Sequence, residues 1–450
     1  MTKQSSFREP SRRIPVTHEV DVLVVGAGSA GVCAAIRAAR EGARTLLVDT
    51  EGYLGGTWTA GMQTHVTSFH DGRRVIVKGI VLEIMKRLAR AGGAEDPTRK
   101  FRPDYFKEKL RSYWVNFNHE MLKGTLDDMA TEAGVRLLLH TRCVGVMVRK
   151  NLLQGVIVEN KSGRQAIRAK VTIDCSGDAD VAFLAGAPTA QGRARDGKCQ
   201  PSTTTFLLLN ANLYKGGAWL KQHPGYLAAC EKKARARGEL TLPTRLRLGT
   251  YSCLPRVSYH NITRILSVDA TRAEDLTRGE IEGRKQVREV VAFYRKYVTG
   301  FEQCRLLATS ASLSLRESRR IVGEYTMTGE DIMAARHFPD GIARHRYYID
   351  MHNPDGDGSE GDAGQTCVPP PGTHYEVPYR CLVPKKIEQL LVAGRCVSST
   401  REALGSLRTT ACCAQIGEAA GLAAALAIRR GKTVRGMDGR VLKKRLLGGR

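Results

Sequence analysis

The sequence predicts an α/β fold, with a parallel sheet flanked by helices, a β-meander and an inserted mixed α+β domain. Three observations predict it. The apolar stretch 21–25 runs into Gly26-Ala-Gly28-Ser-Ala-Gly31 and then into a helix of small residues. Residues 136–171 alternate as three strands, Arg136–Val148, Leu152–Glu159 and Arg164–Val171. The apolar segment 389–393 precedes a long helix rich in Ala and Gly. This order of elements is typical of a Rossmann-like domain.

The glycine-rich turn predicts a dinucleotide site. Gly26 permits the tight turn, Gly28 lets the backbone approach a pyrophosphate, and Gly31 allows close packing of helix on strand. The free N–H groups at the start of the helix attract the phosphates. Asp49 ends the second strand, about 20 positions after the turn, where a carboxylate would bind the ribose hydroxyls.

A second match to the same glycine pattern, Gly356-Asp-Gly358-Ser-Glu-Gly361, is interpreted as a polar loop. It follows Pro354, no apolar strand precedes it, and its acidic residues would repel a pyrophosphate. We therefore predict no separate NAD(P)H domain.

The residues after Asp49 decide between nucleotides. Asp49 alone favours NAD, but the glycine-dense loop 52–61 suits a flat ring or a second phosphate, which favours FAD. No basic residue directly follows Asp49 to hold the 2′-phosphate of NADP.

Near the other end, Gly417 and Gly421 match a membrane-helix motif. Glu418 and the following arginines argue against a membrane span, so we expect a thin helix packed against a sheet or cofactor.

These motifs, taken together, resemble the bacterial FAD-dependent oxidoreductases of the glutathione-reductase-like, two-dinucleotide-binding flavoprotein superfamily. The resemblance runs in family order from about residue 20 to 430. Beyond the first turn it rests on the segments Gly52–Gly56, Thr172–Val181, Leu315–Gly323, Ile349–Pro354, Val377–Pro384, Leu391–Ser398 and Arg408–Gly421.

The resemblance implies an FAD site and the residues that form it. Asp49 in place of the usual Glu, Ser176 in place of Thr, and Ser318 within an Arg-Glu-Thr-Arg-Arg run are mild departures from the family pattern. Val144 would hold the adenine through its backbone. The implied FAD contacts, with Thr57 from the glycine-dense loop, are Gly26, Gly28, Ser29, Ala30, Gly31, Asp49, Gly55, Gly56, Thr57, Val144, Gly177, Asp178, Gly394, Arg395 and Gly417.

Catalysis would need a positive charge near the N1–C2 edge of a flavin, and we predict that Arg408 and the following helix N-terminus supply it. His352 is the first candidate for a general base, with a structural histidine as the alternative. Residues 316–320 predict either an ion network that holds an anionic substrate or a structural network between domains. Its members are Arg316, Glu317, Arg319 and Arg320, and weaker candidates are Tyr379 and Arg380.

Composition limits the classes of site and function that remain open. The 450 residues are 42% hydrophobic, which is enough for two joined domains. The twelve cysteines show no metal-ligand or disulfide-framework spacing; we predict no metal site, and free thiols suit a reducing cytoplasm. The net charge of +25 is spread along the chain without a nucleic-acid motif. It predicts a solvated basic surface or an anionic small substrate in preference to RNA or DNA.

The predicted function is transfer of a hydride from a small organic metabolite to flavin N5 by a dehydrogenase or oxidase. The alternatives are an RNA-associated, tRNA-modifying flavoprotein and a flavin monooxygenase. We predict an FAD-binding domain in three parts (19–95, 131–190 and 371–435), a helical insertion (96–130), a substrate domain (191–370) and a basic C-terminal tail (436–450). Residues 1–18 predict a disordered basic tail, with a short transit-like signal as the alternative.

Overall fold

A computed structural model describes residues 9–67, 69–71, 73–98, 114–358, 369–370 and 372–448. The strands of this part of the chain are β1 Val16–Val25, β2 Thr45–Val48, β3 His65–Val66, β4 Val115–Asn116, β5 Arg136–Leu138, β6 Arg142–Arg149, β7 Leu152–Asn160, β8 Gly163–Asp174, β9 Thr189–Ala190, β10 Phe206–Leu209, β11 Thr250–Tyr251, β12 Val257–His260, β13 Arg305–Thr309, β14 Arg320–Ile321, β15 Gly341–His345, β16 Tyr375–Pro378 and β17 Leu390–Val392.

The helices have very different lengths, from single turns to the 25-residue α7. They are α1 Ser29–Arg40, α2 Ile80–Arg90, α3 His119–Glu132, α4 Asp180–Leu184, α5 Leu213–Gln222, α6 Tyr226–Ala236, α7 Ala273–Tyr297, α8 Gly329–Met333, α9 Arg401–Leu407, α10 Thr410–Arg429 and α11 Gly439–Leu447.

The main sheet has seven strands in the order β5-β2-β1-β8-β7-β6, with β17 also paired to β8. Strands β5, β2, β1, β8 and β17 are parallel, and β7 and β6 continue the sheet antiparallel. The long strand β8 serves both parts, because its first half pairs with β7 and its last three residues pair with β17. This confirms the predicted Rossmann-like α/β fold with a meander. One row of paired residues crosses the five parallel strands: Leu137, Leu47, Val24, Ile173 and Leu391.

Helices α1 and α10 pack against each other beside this sheet. A Cβ on Gly417 would lie 2.0 Å from the carbonyl oxygen of Ala30, and one on Gly421 would lie 2.1 Å from that of Ala34. The small residues therefore serve a close contact between two helices. Among the described residues only α10 is long and apolar enough to cross a membrane, and 94% of that window is buried inside the protein.

The structure corrects several predicted boundaries. The predicted strand Arg136–Val148 is two strands: β5 joins the parallel sheet, the chain turns at His140 (φ +51°), and β6 then begins the meander. The predicted tail 1–18 overlaps β1, which begins at Val16, while residues 1–8 lie outside the described part. The predicted tail 436–450 contains α11, whose Leu442 is fully buried. Of the predicted insertion 96–130, residues 99–113 lie outside the described part, and α3 extends past its end.

A second, antiparallel sheet of order β11-β12-β10-β13 lies within residues 191–370. Its core includes Phe206 and Leu208 of β10 and Val290 and Phe293 of α7. The chain leaves this sheet near Ser314, whose N–H donates to Thr203 O at 2.8 Å. The second sheet therefore has a hydrophobic core of its own, and after Ser314 the chain runs back towards the main sheet.

Candidate active site

A cavity of about 640 Å³ lies between the two sheets. One end is lined by residues that follow the carboxyl ends of the parallel strands β1, β2, β8 and β17, where open α/β sheets bind their ligands. The other end is lined by the second sheet and by the segment 347–352. From the first end come Gly26, Gly28, Ser29, Ala30, Asp49, Gly56, Thr57, Gly177, Gly394 and Arg395; Arg316 and His352 lie near the second, and Arg408 also lines the cavity, next to the start of α10.

The three glycines of the first turn occupy three different surroundings. Gly26 has φ +99°, and a Cβ there would lie 2.4 Å from Cys175 O. A Cβ on Gly31 would lie 1.7 Å from Gly26 O. In contrast, a Cβ on Gly28 would meet no protein atom within 4 Å. Gly26 and Gly31 are therefore needed by the fold, whereas Gly28 opens onto the cavity.

The start of α1 is equipped for an anion. Gly28 is its N-cap and provides no side-chain cap, and its first turn contains no acidic residue. Asp49 is held beside this turn: its carboxylate accepts hydrogen bonds from the N–H groups of Ala27 and of Glu51, the latter at 2.8 Å. Burial raises the pKa of Asp49, and the backbone donors oppose that rise. The helix amides thus remain available for phosphate.

A second helix N-terminus, that of α10, borders the same cavity. Its N-cap, Thr409, makes no side-chain cap, because its hydroxyl is engaged with His345 Nε2 at 2.7 Å and Ser406 O at 3.0 Å. Arg408 precedes it and donates through Nη2 to the backbone and carboxylate oxygens of Asp350, both at 3.0 Å. The buried Nε of Arg408 has no hydrogen-bond partner among the described residues. Arg408 is therefore ion-paired with Asp350, but its Nε and the uncapped start of α10 keep donors beside the cavity that have no acceptor in the described part of the protein.

These features fit FAD. The open cradle at Gly28 and the uncapped α1 suit its pyrophosphate, Asp49 suits the ribose, and the α10 N-terminus with Arg408 suits the electron-rich edge of a reduced ring. Gly56 lies against Gly28, since a Cβ on Gly56 would lie 2.8 Å from Gly28 Cα. The glycine-dense loop therefore reaches the same turn.

An arginine cluster, Arg247, Arg264 and Arg316, lines the other end of the cavity. Arg316 donates to Pro201 O at 2.6 Å and to Asn261 Oδ1 at 3.3 Å, and Arg247 donates to Asn261 O at 3.0 Å. Within the described residues, none of the three forms an ion pair with a carboxylate.

The charges of this cluster act on one another. Burial is the main cause that lowers the pKa of Arg316 to about 9; the charges of Arg408, Arg264 and Arg247 act in the same direction, and the charge of Asp350 opposes them. Arg316 therefore stays protonated at neutral pH, although its neighbours repel its charge. An anionic ligand would relieve this repulsion.

His352 joins two charged groups. Arg264 donates to its Nδ1 at 3.0 Å, so Nε2 carries the proton and faces Asp350 Oδ2 at 3.4 Å. Burial lowers the pKa of His352 to about 4, and Asp350 only partly opposes this. Burial alone would raise the pKa of Asp350, but His352, Arg408 and Arg316 hold it well below its usual range. The structure thus places His352 as a link between Arg264 and Asp350, with neither ring nitrogen free.

An aromatic wall, formed by Trp114, His65 and Tyr259, also lines the cavity. The His65 ring stacks on Trp114 with centroids 4.2 Å apart and planes 12° apart, and Tyr259 meets His65 edge-on at 5.3 Å and 76°. Burial lowers the pKa of His65 to about 4, so this wall is uncharged at neutral pH.

Other residues predicted for the site lie away from the cavity lining. Arg319 pairs with Asp180 and donates to Asp178 O at 2.9 Å, while Asp178 itself binds Arg395 at 2.6 Å. The predicted network of residues 316–320 is divided: Glu317 binds Arg320 at 2.9 Å and Arg401 at 3.0 Å, separately from Arg316 and Arg319. The remaining residues in this group are Gly31, Gly55, Val144, Gly417, Tyr379 and Arg380. Gly55 supports the turn through Ala27 O, Val144 lies in β6, Tyr379 binds Val434 O, and Arg380 pairs with Asp340.

The sequence analysis missed the aromatic wall, Arg247, Arg264 and Asn261. His65 and Tyr259 lie in short strands, and the others lie in loops next to strands, where no motif marks them. Asp350 stands inside a segment that carried the family resemblance, so its position beside His352 offered a signal that the sequence analysis did not use.

Comparison with a protein-family model agrees with FAD as the cofactor. A family model described as FAD dependent oxidoreductase matches residues 21–446. A thiamine thiazole synthase from Aeropyrum pernix is 31% identical over 153 residues, which is 34% of this chain and 48% of that protein. The chain thus spans about half the length of this curated relative.

Solved structures give a broad likeness. A geranylgeranyl bacteriochlorophyll reductase-like protein from Thermoplasma acidophilum superposes with a TM-score of 0.49 and 13% identity, covering 95% of this chain and 84% of that one. An L-proline dehydrogenase from P. horikoshii gives a TM-score of 0.44 and 12% identity, covering 96% of this chain and 99% of that one.

Proposed function

Because the chain belongs to the FAD dependent oxidoreductase family, we propose that it is a dehydrogenase or oxidase that acts on a small anionic metabolite. The arginine cluster carries this proposal. Its three guanidinium groups face one cavity and donate only to neutral acceptors among the described residues. Cationic groups without carboxylate partners at the end of a cavity suit a carboxylate or phosphate on the substrate.

One end of the cavity would bind the cofactor and the other end the substrate. When bound, FAD supplies the ring that accepts a hydride from the substrate. Arg316 and Arg247 bind the anionic group of the substrate and fix its orientation. Asp350 holds Arg408 at the start of α10 through two hydrogen bonds, so that its charge stays beside the cofactor end. In this two-electron oxidation the substrate would pass a hydride to bound FAD and release a proton to water.

Anaerobic titration tests this proposal. The FAD-loaded protein is mixed with 2-hydroxy acids, amino acids and phosphorylated alcohols, and with neutral counterparts in which the anionic group is an amide or a free alcohol. We expect an anionic compound to bleach the visible flavin absorbance and its neutral counterpart to be at least about tenfold weaker. Bleaching by the neutral compounds alone would contradict the proposal.

Readmission of air separates the remaining classes. Rapid recovery of colour with formation of hydrogen peroxide identifies an oxidase, and slow recovery identifies a dehydrogenase with another acceptor. A flavin that is reduced only by NAD(P)H, with oxygen inserted into a second substrate, would identify a monooxygenase instead. Nucleic acid that stays bound through a high-salt wash would favour the RNA-associated class.

A further inference from the structure

The aromatic wall and the arginine cluster meet at one residue. Asn261 follows Tyr259 closely on the chain and accepts hydrogen bonds from Arg316 and Arg247 at 3.3 Å and 3.0 Å. Tyr259 feels the same charges: burial raises the pKa of its hydroxyl, and Arg316 and Arg247 partly oppose this rise. The uncharged wall and the charged cluster are therefore adjacent surfaces of one cavity.

The rings of the aromatic wall are uncharged at neutral pH, so we do not expect this surface to attract an anion electrostatically. Trp114 is half-buried, whereas His65 and Tyr259 are 5% and 3% exposed, so the indole offers the most accessible ring of the three. An aromatic ring placed against another gains from the offset or edge-on alignment of the two π-systems beyond the area that it buries. The natural ligand of such a surface is a flat, unsaturated group.

We propose that the cavity selects a carboxylate attached to a flat unsaturated ring, with the carboxylate on Arg316 and Arg247 and the ring against Trp114. This inference rests on the proposed function, because it names the substrate class of the same cavity. The charge and the flat ring of the ligand would contact separate surfaces of the cavity, so each contribution to binding can be removed without removing the other.

Three probes separate these two contributions. Benzoate has the ring and the charge, cyclohexanecarboxylate has the charge without the flat ring, and benzamide has the ring without the charge. Each is titrated into the FAD-loaded protein, with the shift of the flavin spectrum and the tryptophan fluorescence as readouts. We expect benzoate to bind about five- to tenfold tighter than cyclohexanecarboxylate and at least about tenfold tighter than benzamide.

The chain offers a matched control for Trp114. Trp219 on α5 also stacks on a histidine, His223, at 4.0 Å and 15°, and also meets a tyrosine, Tyr226, edge-on at 4.4 Å and 80°, but it does not line the cavity. Trp114→Leu should remove the preference for benzoate and leave cyclohexanecarboxylate binding within about twofold. Trp219→Leu should leave both affinities unchanged. Arg316→Gln should weaken both acids by a similar factor and preserve their ratio.

Several results would overturn the inference. Equal affinities for benzoate and cyclohexanecarboxylate in the wild-type protein would do so, and this comparison stands even if Trp114→Leu fails to fold. A preference that survives in Trp114→Leu would assign it to another surface, and loss of FAD from that variant would assign the wall to the cofactor. If benzoate is preferred through Trp114 but no metabolite reduces the flavin, the proposed function fails while the binding inference holds.

Discussion

The two ends of the cavity are built by different parts of the chain. The cofactor end is made mostly of backbone: a turn at Gly26, an open approach at Gly28 and two helix starts without side-chain caps. The substrate end is made of side chains, with arginines and aromatic rings that belong to unrelated segments. A site made of backbone demands particular residues at fixed spacing, whereas a site made of side chains can be assembled from many positions. The first kind leaves a motif in the sequence and the second does not.

The largest test of this contrast compares two neighbouring glycines. Gly31→Ala should prevent folding or flavin binding, because its Cβ would lie 1.7 Å from a backbone oxygen, and an overlap of that size cannot be relieved by a side chain. Gly28→Ala should fold with an unchanged melting temperature and bind FAD more weakly, since its Cβ meets no protein atom within 4 Å. The measurements are the ratio of flavin to protein and thermal unfolding of the FAD-free protein. Equal behaviour of the two variants would show that our assignment of these glycines is wrong.

At the other end, Arg316→Gln should leave flavin content unchanged and weaken binding of the anionic substrate by about 10- to 100-fold, as expected for a hydrogen bond to a charged group. Because burial, more than the neighbouring arginines, disfavours the charged form of Arg316, the neutral glutamine should also raise the melting temperature of the ligand-free protein. Arg319→Gln is the control, because Arg319 pairs with Asp180 away from the cavity lining. It should lower stability and leave substrate affinity unchanged. Unchanged substrate affinity in Arg316→Gln together with weaker substrate binding in Arg319→Gln would place the anion site at Arg319 instead.

Acid should destabilise the fold through its buried histidines, among them His65 in the aromatic wall and His260 in the core of the second sheet. Burial lowers the pKa of His65 to about 4 and that of His260 to about 3, from an ordinary value of 6.5. The unfolded chain then binds more protons below pH 6.5, so the free energy of unfolding is greatest above that pH and falls as the pH approaches 4. Each unit of separation corresponds to about 1.4 kcal/mol.

Melting temperatures between pH 7.5 and pH 4.5, read by circular dichroism, should show this decline. In His260→Phe, which keeps a ring against Phe206, the decline should be shallower. A decline of the same steepness in the variant would remove His260 as a cause.

The smallest effect is expected at His352. Asparagine at this position can accept from Arg264 and donate to Asp350, so His352→Asn should slow flavin reduction by less than about fivefold. Loss of a general base would slow it by about 100-fold or more. Rapid anaerobic mixing with a substrate identified in the titration distinguishes the two. A large loss with unchanged substrate affinity would restore His352 as the base.

The sequence was sufficient for the fold class, which depends on strand periodicity and on the glycine spacing at 26–31, and for the family and the cofactor, which needed the loop 52–61 and the later segments as well. It was misleading where a residue type suits either a cofactor contact or a packing contact. Gly417 was expected beside the flavin, but its missing Cβ serves the contact with Ala30. Arg316 and Arg319 are only three positions apart, yet one faces the cavity and the other pairs with Asp180. Which way a side chain points depends on tertiary packing, and a local pattern does not contain that information.

The contact between α1 and α10 also sets the order of events during synthesis. Arg37 and Glu418, paired at 2.9 Å on these helices, are 381 positions apart along the chain. While a ribosome is still making the intervening residues, the apolar side of α1 has no partner, and the start of α10 is missing from the cofactor site. The glycine turn is made early, but it can hold FAD securely only after the last long helix has emerged. A polypeptide interrupted before Thr410 should therefore remain colourless, and uptake of cofactor should follow the emergence of α10.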